Sequence, residues 1–311
     1  MLNNVLIMVF AMFLVIKGAT LSTKYAVRLA EGYKLSKYVV GLIVVAVISI
    51  LPETFIAINS ALEGVPDFGL GTLFGSNVAD LSLLFAVVVF LAGRNIRISG
   101  NIIKESYVYP ILLILPLVLG GDGYYSRWEG CALVLSGSLF YYLAFKNGSD
   151  GVGFSKRLGN RYKNVAWLLL SLSMLLVGAH FTVTSATSLA RDLGVNEILI
   201  GMLIVGLGTI MPELFFALKA VKSHSDSMAV GDVLGTVLAD ATIVVGILAI
   251  ISPFAFPRII VFVTGVFMVL AAAILFYFMR SGRTLTKKES FALLFFWIAF
   301  VVVEVLINGL R

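Results

Sequence analysis

Charge is what this chain most lacks. Asp, Glu, Lys and Arg make up 13% of its residues, against 60% hydrophobic ones, and the mean hydropathy is +1.03. A soluble domain is about a quarter charged, so an ordinary soluble domain is excluded and a multi-span membrane protein is expected. Cysteine is almost absent. Cys131 alone rules out an internal disulfide and any thiolate metal cluster, and a lone cysteine reads as a small apolar residue. With two histidines, His180 and His224, a zinc or copper site of the imidazole type has no support. The first residues, Met1-Leu2-Asn3-Asn4, carry no basic stretch, and no small-residue cleavage site closes the apolar run behind them. That run therefore reads as a first span and not as a removable signal.

What is present is a series of apolar segments near the roughly 20 residues needed to cross a bilayer. They fall at about 4–30, 37–63, 67–93, 105–120, 127–146, 165–190, 196–222, 227–252, 258–280 and 288–309, with edges uncertain by a few residues. The fourth, with Pro110 and Pro116, is the shortest. Lys and Arg crowd alternate loops: Lys24, Arg28, Lys34 and Lys37; Arg94, Arg97 and Lys104; Lys146, Lys156, Arg157, Arg161 and Lys163; Lys219 and Lys222; Arg280, Arg283, Lys287 and Lys288. The other connections hold Arg127, Arg191 and Arg258, and Arg311 ends the chain. By the positive-inside rule the crowded loops are cytoplasmic and both termini extracytoplasmic. The net charge of +6 is thus a property of membrane loops, and no nucleic-acid partner is expected.

Two stretches, 41–80 and 201–240, correspond at a constant spacing of 160 residues without a gap. Ser49 and Glu53 answer to Thr209 and Glu213; Ser76 and Asp80 answer to Thr236 and Asp240. Pro52 matches Pro212, Gly75 matches Gly235, and further back Gly18-Ala19 matches Gly178-Ala179. Five spans per copy is an odd number, so the second copy must enter the membrane inverted. The expected fold is all-α and polytopic: ten transmembrane helices in two inverted five-helix repeats, 1–146 and 165–311, joined by a cytoplasmic linker, 147–164. Such repeats place their binding site at the midplane, on interrupted helices. Pro52 and Pro212 mark the interruptions, each freeing a carbonyl four residues back, at Ile48 and Gly208. Gly75 and Gly235 suit close helix approach.

Each repeat carries two hydroxyl–carboxylate pairs spaced i, i+4, which share one helix face. Carboxylates inside a membrane are costly and mark function by default. Glu53, Asp80, Glu213 and Asp240, with four hydroxyls, offer the oxygen ligands that Ca2+, Mg2+ and Na+ prefer. Four ionised carboxylates cannot coexist unpaired in a low dielectric, so cation and proton occupancy are linked properties of the cluster.

These stretches resemble the alpha repeats of the sodium/calcium exchanger family, in the calcium/cation antiporter superfamily. The resemblance rests on Ile48-Ser49-Ile50-Leu51-Pro52-Glu53 with Gly75-Ser76-Asn77-Val78-Ala79-Asp80. In the second half it rests on Gly208-Thr209-Ile210-Met211-Pro212-Glu213 with Gly235-Thr236-Val237-Leu238-Ala239-Asp240. It implies alternating access, with Ca2+ and Na+ competing for one central site and the first and sixth spans sliding across the rest. Glu53, Glu213, Ser49 and Thr209 match the family's calcium ligands. Ser76, Thr236 and the backbone carbonyls of Ala46 and Gly206 match ligands of flanking sodium sites, and Asp80 and Asp240 the remaining polar positions. Two departures stand out. Ile50 and Ile210 replace the family's second hydroxyl in both halves, and Asp80 is charged where some relatives carry an amide. Fewer Na+ sites and more protonatable groups point towards altered stoichiometry, H+ coupling or another divalent ion.

The expected function is a secondary-active antiporter, not an enzyme, exchanging Ca2+ for Na+ or H+ without a cofactor, as a monomer in the lipid bilayer. A proton-coupled exchanger of Mg2+ or Mn2+ is the alternative. A passive channel or an intramembrane aspartyl hydrolase using Asp80 and Asp240 fits the duplicated hydroxyls and glutamates less well. Elsewhere, Ser82 and Thr242 read as structural hydroxyls bonded to their own helices. Lys17 reads as a partner of Glu304 or as a snorkelling side chain. Asp232, two turns before Asp240 on the same face, reads as a solvated helix start or as lining the cytoplasmic entrance, His180 as a hydrogen-bonded core residue or a pH sensor, and Tyr107, Tyr109, Tyr124, Tyr125 and Trp128 as interface anchors.

Overall fold

The computed structural model describes residues 2–30, 49–98, 108–147 and 161–308. Ala46, Ile48, Tyr107 and most of the linker, each named above, lie outside them. Apolar sequence becomes helix here because backbone polar groups without water must bond within their own segment. The helices are α1 (Leu2–Ala30), α2 (Leu51–Leu62), α3 (Pro66–Ala92), α4 (Val108–Leu119), α5 (Arg127–Asn147), α6 (Arg161–Leu193), α7 (Glu197–Lys222) and α8 (Asp226–Ile251). After them come α9 (Val266–Arg280), entered through a wide turn at Ile260–Gly265, and α10 (Lys287–Asn308). Among the described residues seven helical stretches are long and apolar enough to cross a membrane: six within α1, α3, α6, α7, α8 and α10, and a seventh, Phe262–Arg280, made of α9 and the end of the turn before it. The described part of α2, and α4, are too short for that standard.

The bundle has a centre and a flank. In the most apolar windows of α3 and α8, 83% and 78% of residues are buried, against 33% and 28% for α1 and α6. The main apolar core runs through α3 and α8, with Phe74, Leu81, Phe85, Leu234, Leu238 and Leu248 inside it. α1 and α6 pack most extensively on each other. The repeat-related Gly18 and Gly178 allow this: a Cβ on Gly18 would stand 2.9 Å from the Ser171 carbonyl oxygen, and one on Gly178 2.9 Å from that of Ala11. Gly75 plays the same part at the centre, where a Cβ would come within 2.6 Å of the Met202 carbonyl oxygen on α7. Small residues at a helix crossing let backbones approach in this way.

Short ribbons tie the helix ends. β1 (Ile96–Arg97) pairs antiparallel with β4 (Thr284–Leu285), and β2 (Tyr124–Tyr125) with β3 (Phe254–Ala255). Ile96 faces Leu285, and Tyr125 faces Phe254, so each ribbon links the first half of the chain to the second. Next to these ribbons, α5 and α10 begin with matching capping boxes. The Ser126 hydroxyl and backbone N–H both donate to Glu129 Oε2 at 2.7 Å, and those of Thr286 donate to Glu289 Oε2 at 2.7 Å. A carboxylate three residues into the helix thereby satisfies donors that no helical carbonyl reaches.

Candidate cation site

Ile50 and Ile210 are where the helices break. Their backbones hold φ/ψ of −71°/−6° and −72°/−8°, and each precedes a helix with proline in its opening residues. Proline suits that place because its missing N–H would be unsatisfied there anyway. Glu53 and Glu213 therefore stand in the first turns of new helices, Leu51–Leu62 and Met211–Lys222. A helix N-terminus carries partial positive charge and favours an anionic side chain. Ser49 and Thr209 sit one turn earlier, on the other side of each break.

Opposite them lie α3 and α8, which repeat each other's construction. Each runs as α-helix for 14 residues, Pro66–Ala79 and Asp226–Ala239, and then opens into a five-residue π turn, Asp80–Leu84 and Asp240–Val244. A π turn inserts one residue into the ladder and is common at functional sites. Asp80 and Asp240 are the first residues of these turns. Ser76 and Thr236 precede them by one turn.

Every one of these side chains is buried. Glu53, Asp80, Glu213 and Asp240 are each 1% exposed or less, as are Thr209, Ser76 and Thr236, with Ser49 at 2%. Glu53 lies within electrostatic reach of Asp80, Glu213 and Asp240, and the Thr209 hydroxyl faces its carboxylate. Glu53 Oε2, Asp80 Oδ1, Thr236 Oγ1 and both carboxylate oxygens of Glu213 and Asp240 have no hydrogen-bond partner among the described residues. Oxygens left unpaired inside a membrane protein are costly. Yet among the described residues no three acidic, histidine or cysteine side chains stand close enough to chelate one ion unaided. The arrangement gathers buried oxygens from both halves and is not a finished chelate.

Some predicted ligands are already engaged. The Gly206 carbonyl accepts from Thr209 Oγ1 at 3.0 Å and from the Ile210 N–H at 3.3 Å, so ligation through it requires Thr209 to turn away. Ser76 donates to the Leu73 carbonyl at 3.0 Å and keeps its oxygen lone pairs. Ser82 and Thr242 donate to Val78 and Leu238 on their own helices, as expected of structural hydroxyls.

Asp232 is no solvated helix start: it is fully buried, and its Oδ1 accepts from Ser49 Oγ at 2.9 Å. It also lies within electrostatic reach of Glu53, Asp80 and Glu213, making a fifth acid at the site. Tyr109 and Tyr125 are not interface anchors. Both are buried; Tyr109 donates to the Leu234 carbonyl at 2.9 Å and Tyr125 to that of Pro116 at 2.6 Å. Tyr141, unremarked in the sequence, donates to the Gly235 carbonyl, so two phenols hold α8 just ahead of Thr236. Tyr124 and Trp128 are exposed, as anchors require. His180 is exposed, with Nδ1 3.5 Å from Glu63 Oε1, and is no core residue. Lys17 is exposed with its ammonium over the Phe13 ring, and Glu304 accepts from Thr264.

A membrane-embedded bundle built twice over around buried, oxygen-lined helix breaks defines the class: a membrane transporter for cations. The sequence profile of the sodium/calcium exchanger proteins matches residues 3–146 and, a second time, 163–306, and the chain belongs to that family of exchangers. The sodium/calcium exchanger MaX1 of Methanosarcina acetivorans is 24% identical over 344 residues, covering 96% of this chain and 98% of that protein. The inner membrane protein YrbG of Escherichia coli is 25% identical, covering 81% of each. Among solved structures, the sodium-calcium exchanger NCX_Mj, soaked with Na+ and Sr2+, shares the fold. It matches with a TM-score of 0.73 at 22% identity, over 97% of this chain and 98% of that one.

Proposed function

We propose that this chain is a secondary-active antiporter that exchanges Ca2+ for Na+ by alternating access, with fewer Na+ positions than its relatives. The observation that carries the reading is the set of buried, unpartnered oxygens on Glu53, Glu213, Asp80, Asp240 and Thr236. They lie at two helix breaks and two π turns that the repeat makes equivalent. Hard cations take such ligands. The MaX1 name, sodium/calcium exchanger, supports the same pair of ions.

Within this reading Glu53 and Glu213 hold Ca2+, with the hydroxyls of Ser49 and Thr209 and nearby carbonyls completing its shell. The absence of a tight acidic triad among the described residues favours such a mixed oxygen shell over four carboxylates closing on one ion. Asp80 and Asp240 then balance charge and, with Ser76 and Thr236, serve the counter-ion. Ile50 and Ile210 are both buried at the breaks, and neither position offers a hydroxyl to Na+. The crowding of Lys and Arg into alternate loops, together with the internal repeat, supports two inverted five-helix units, 1–146 and 165–311, around the linker 147–164, with both termini extracytoplasmic. The loosely embedded pair α1 and α6 is the unit suited to slide.

The test is radioactive calcium uptake by the purified protein in liposomes under an imposed Na+ gradient or pH gradient. Uptake driven by an outward Na+ gradient is expected. Uptake that needs no counter-ion and does not saturate would establish a channel instead, and uptake driven by pH alone would establish proton coupling.

A further inference from the structure

On the outside of the bundle, away from the buried acids, a groove of about 660 Å³ runs between α9 and α10. Exposed Ala273 and Ala292 leave it open, while Tyr277, Phe278, Phe295 and Phe296 form its sides. The volume falls within the roughly 300–1,000 Å³ of ligand pockets, and the lining is almost wholly apolar.

One end of this groove is basic. Tyr277 and Phe278 stand within a turn of Arg280, where α9 ends, and Ala292 stands one turn after Lys288, where α10 begins. Arg283 lies in the connection between them. Arg97 joins the cluster through the β1–β4 ribbon, in which it pairs with Thr284. All five cations are exposed. The acids at this end are occupied: Glu289 accepts from Thr286 in the capping box, and Asp226 pairs with Arg94. Among the described residues none of Arg97, Arg283, Lys287 and Lys288 has an acidic partner. The positive-inside rule alone accounts for cations in such a loop. It does not account for their meeting the open end of an apolar groove.

We infer that this face binds one anionic phospholipid, with its headgroup phosphate among Arg97, Arg283, Lys287 and Lys288 and an acyl chain in the groove. A lipid joins the two chemistries in the order in which the protein presents them. On the orientation proposed above, this end faces the cytoplasmic leaflet, whose anionic lipids attract cations beside a transmembrane helix. A second copy seated through the same face would set two clusters of like charge against each other. The Arg97 N–H also bonds Asp226 Oδ2 at the first residue of α8, so a phosphate bound here would brace the ribbon and the start of that helix together. The site is independent of which ions are exchanged.

The test is native mass spectrometry of the full chain, titrated in detergent with phosphatidylglycerol or phosphatidylcholine, beside thermal unfolding in the same lipids. Arg283→Gln with Lys288→Gln removes two charges, and Ala292→Phe fills the groove with every charge kept. Wild type is expected to retain one phosphatidylglycerol and to unfold later in its presence, with phosphatidylcholine held at least tenfold more weakly. Each variant should weaken phosphatidylglycerol retention roughly tenfold and lose the thermal shift, while unfolding as wild type does without lipid. Equal retention of the two lipids by wild type overturns the site, as does full retention by the charge variant. Full retention by Ala292→Phe shows surface attraction without a groove site and overturns it equally. A dimer that Ala292→Phe dissolves would give the groove to a second copy instead. Because Ala292 is exposed and makes no polar contact, that variant carries the test if the charge variant does not fold.

Discussion

Asp80 and Asp240 stand at the same point of two helices: each follows 14 residues of α-helix and is the first residue of a five-residue π turn. The turn's extra residue re-aims the chain just where a buried carboxylate stands. Replacing Asp240 with Asn keeps the shape and removes the charge. Calcium transport by Asp240→Asn is expected to fall about tenfold or more without loss of the folded state. A dye-reported transport rate equal to wild type would remove Asp240 from the ion path.

The isoleucines at the breaks give a prediction of opposite sign. Ile50→Ser and Ile210→Ser restore a hydroxyl at each interruption, where the structure has buried apolar side chains. Na+ is expected to compete with Ca2+ more strongly in either variant, by roughly three- to tenfold, since one added oxygen ligand contributes on the order of 1 kcal/mol. Competition binding checks it. An unchanged Na+ inhibition constant in both would show that the hydroxyl position does not set Na+ occupancy.

Away from the site, Arg94 clasps the start of α8. Its guanidinium contacts both carboxylate oxygens of Asp226 and the Val221 carbonyl, and the Arg97 N–H adds a hydrogen bond to Asp226 Oδ2 at 2.8 Å. Asp226 is 8% exposed on its side chain and Arg94 26%. Removing Arg94 leaves a mostly buried carboxylate short of partners. Arg94→Ala is expected to cost about 1–3 kcal/mol of stability, read as earlier thermal unfolding in detergent, with calcium affinity unchanged.

The paired capping boxes predict a matched response. Ser126→Ala and Thr286→Ala each remove a hydroxyl that serves the same position in α5 and α10. Each is expected to destabilise by about 1 kcal/mol, and the two should add because the sites share no partner. Unequal or non-additive losses in a thermal-shift series would show that the two ends are not equivalent supports.

Much of this was legible in the sequence because a membrane penalises polarity. Glu53, Asp80, Glu213 and Asp240 stood out against their apolar surroundings, and the prolines after Leu51 and Met211 marked both breaks. The π turns were not legible, since Asp80-Leu81-Ser82 and Asp240-Ala241-Thr242 carry nothing that tells a five-residue turn from an α-helical one. The burial of Asp232 is not legible, because a position near a helix start has an ordinary solvated explanation and its bond to Ser49 spans the two halves. Tyr109 and Tyr125 were misread because tyrosine serves equally at a membrane surface and against a buried carbonyl. The paired Ser126-Glu129 and Thr286-Glu289 boxes obey the repeat spacing but lie outside the stretches 41–80 and 201–240.

The most direct test of the account is radioactive calcium accumulation in liposomes under an outward Na+ gradient, comparing wild type with Glu53→Gln and Glu213→Gln. Wild type should accumulate calcium, and each single variant should lose about a hundredfold in uptake while still eluting as a folded protein. Uptake by either variant at the wild-type rate would contradict the claim that the two glutamates, one from each half, share the transported ion.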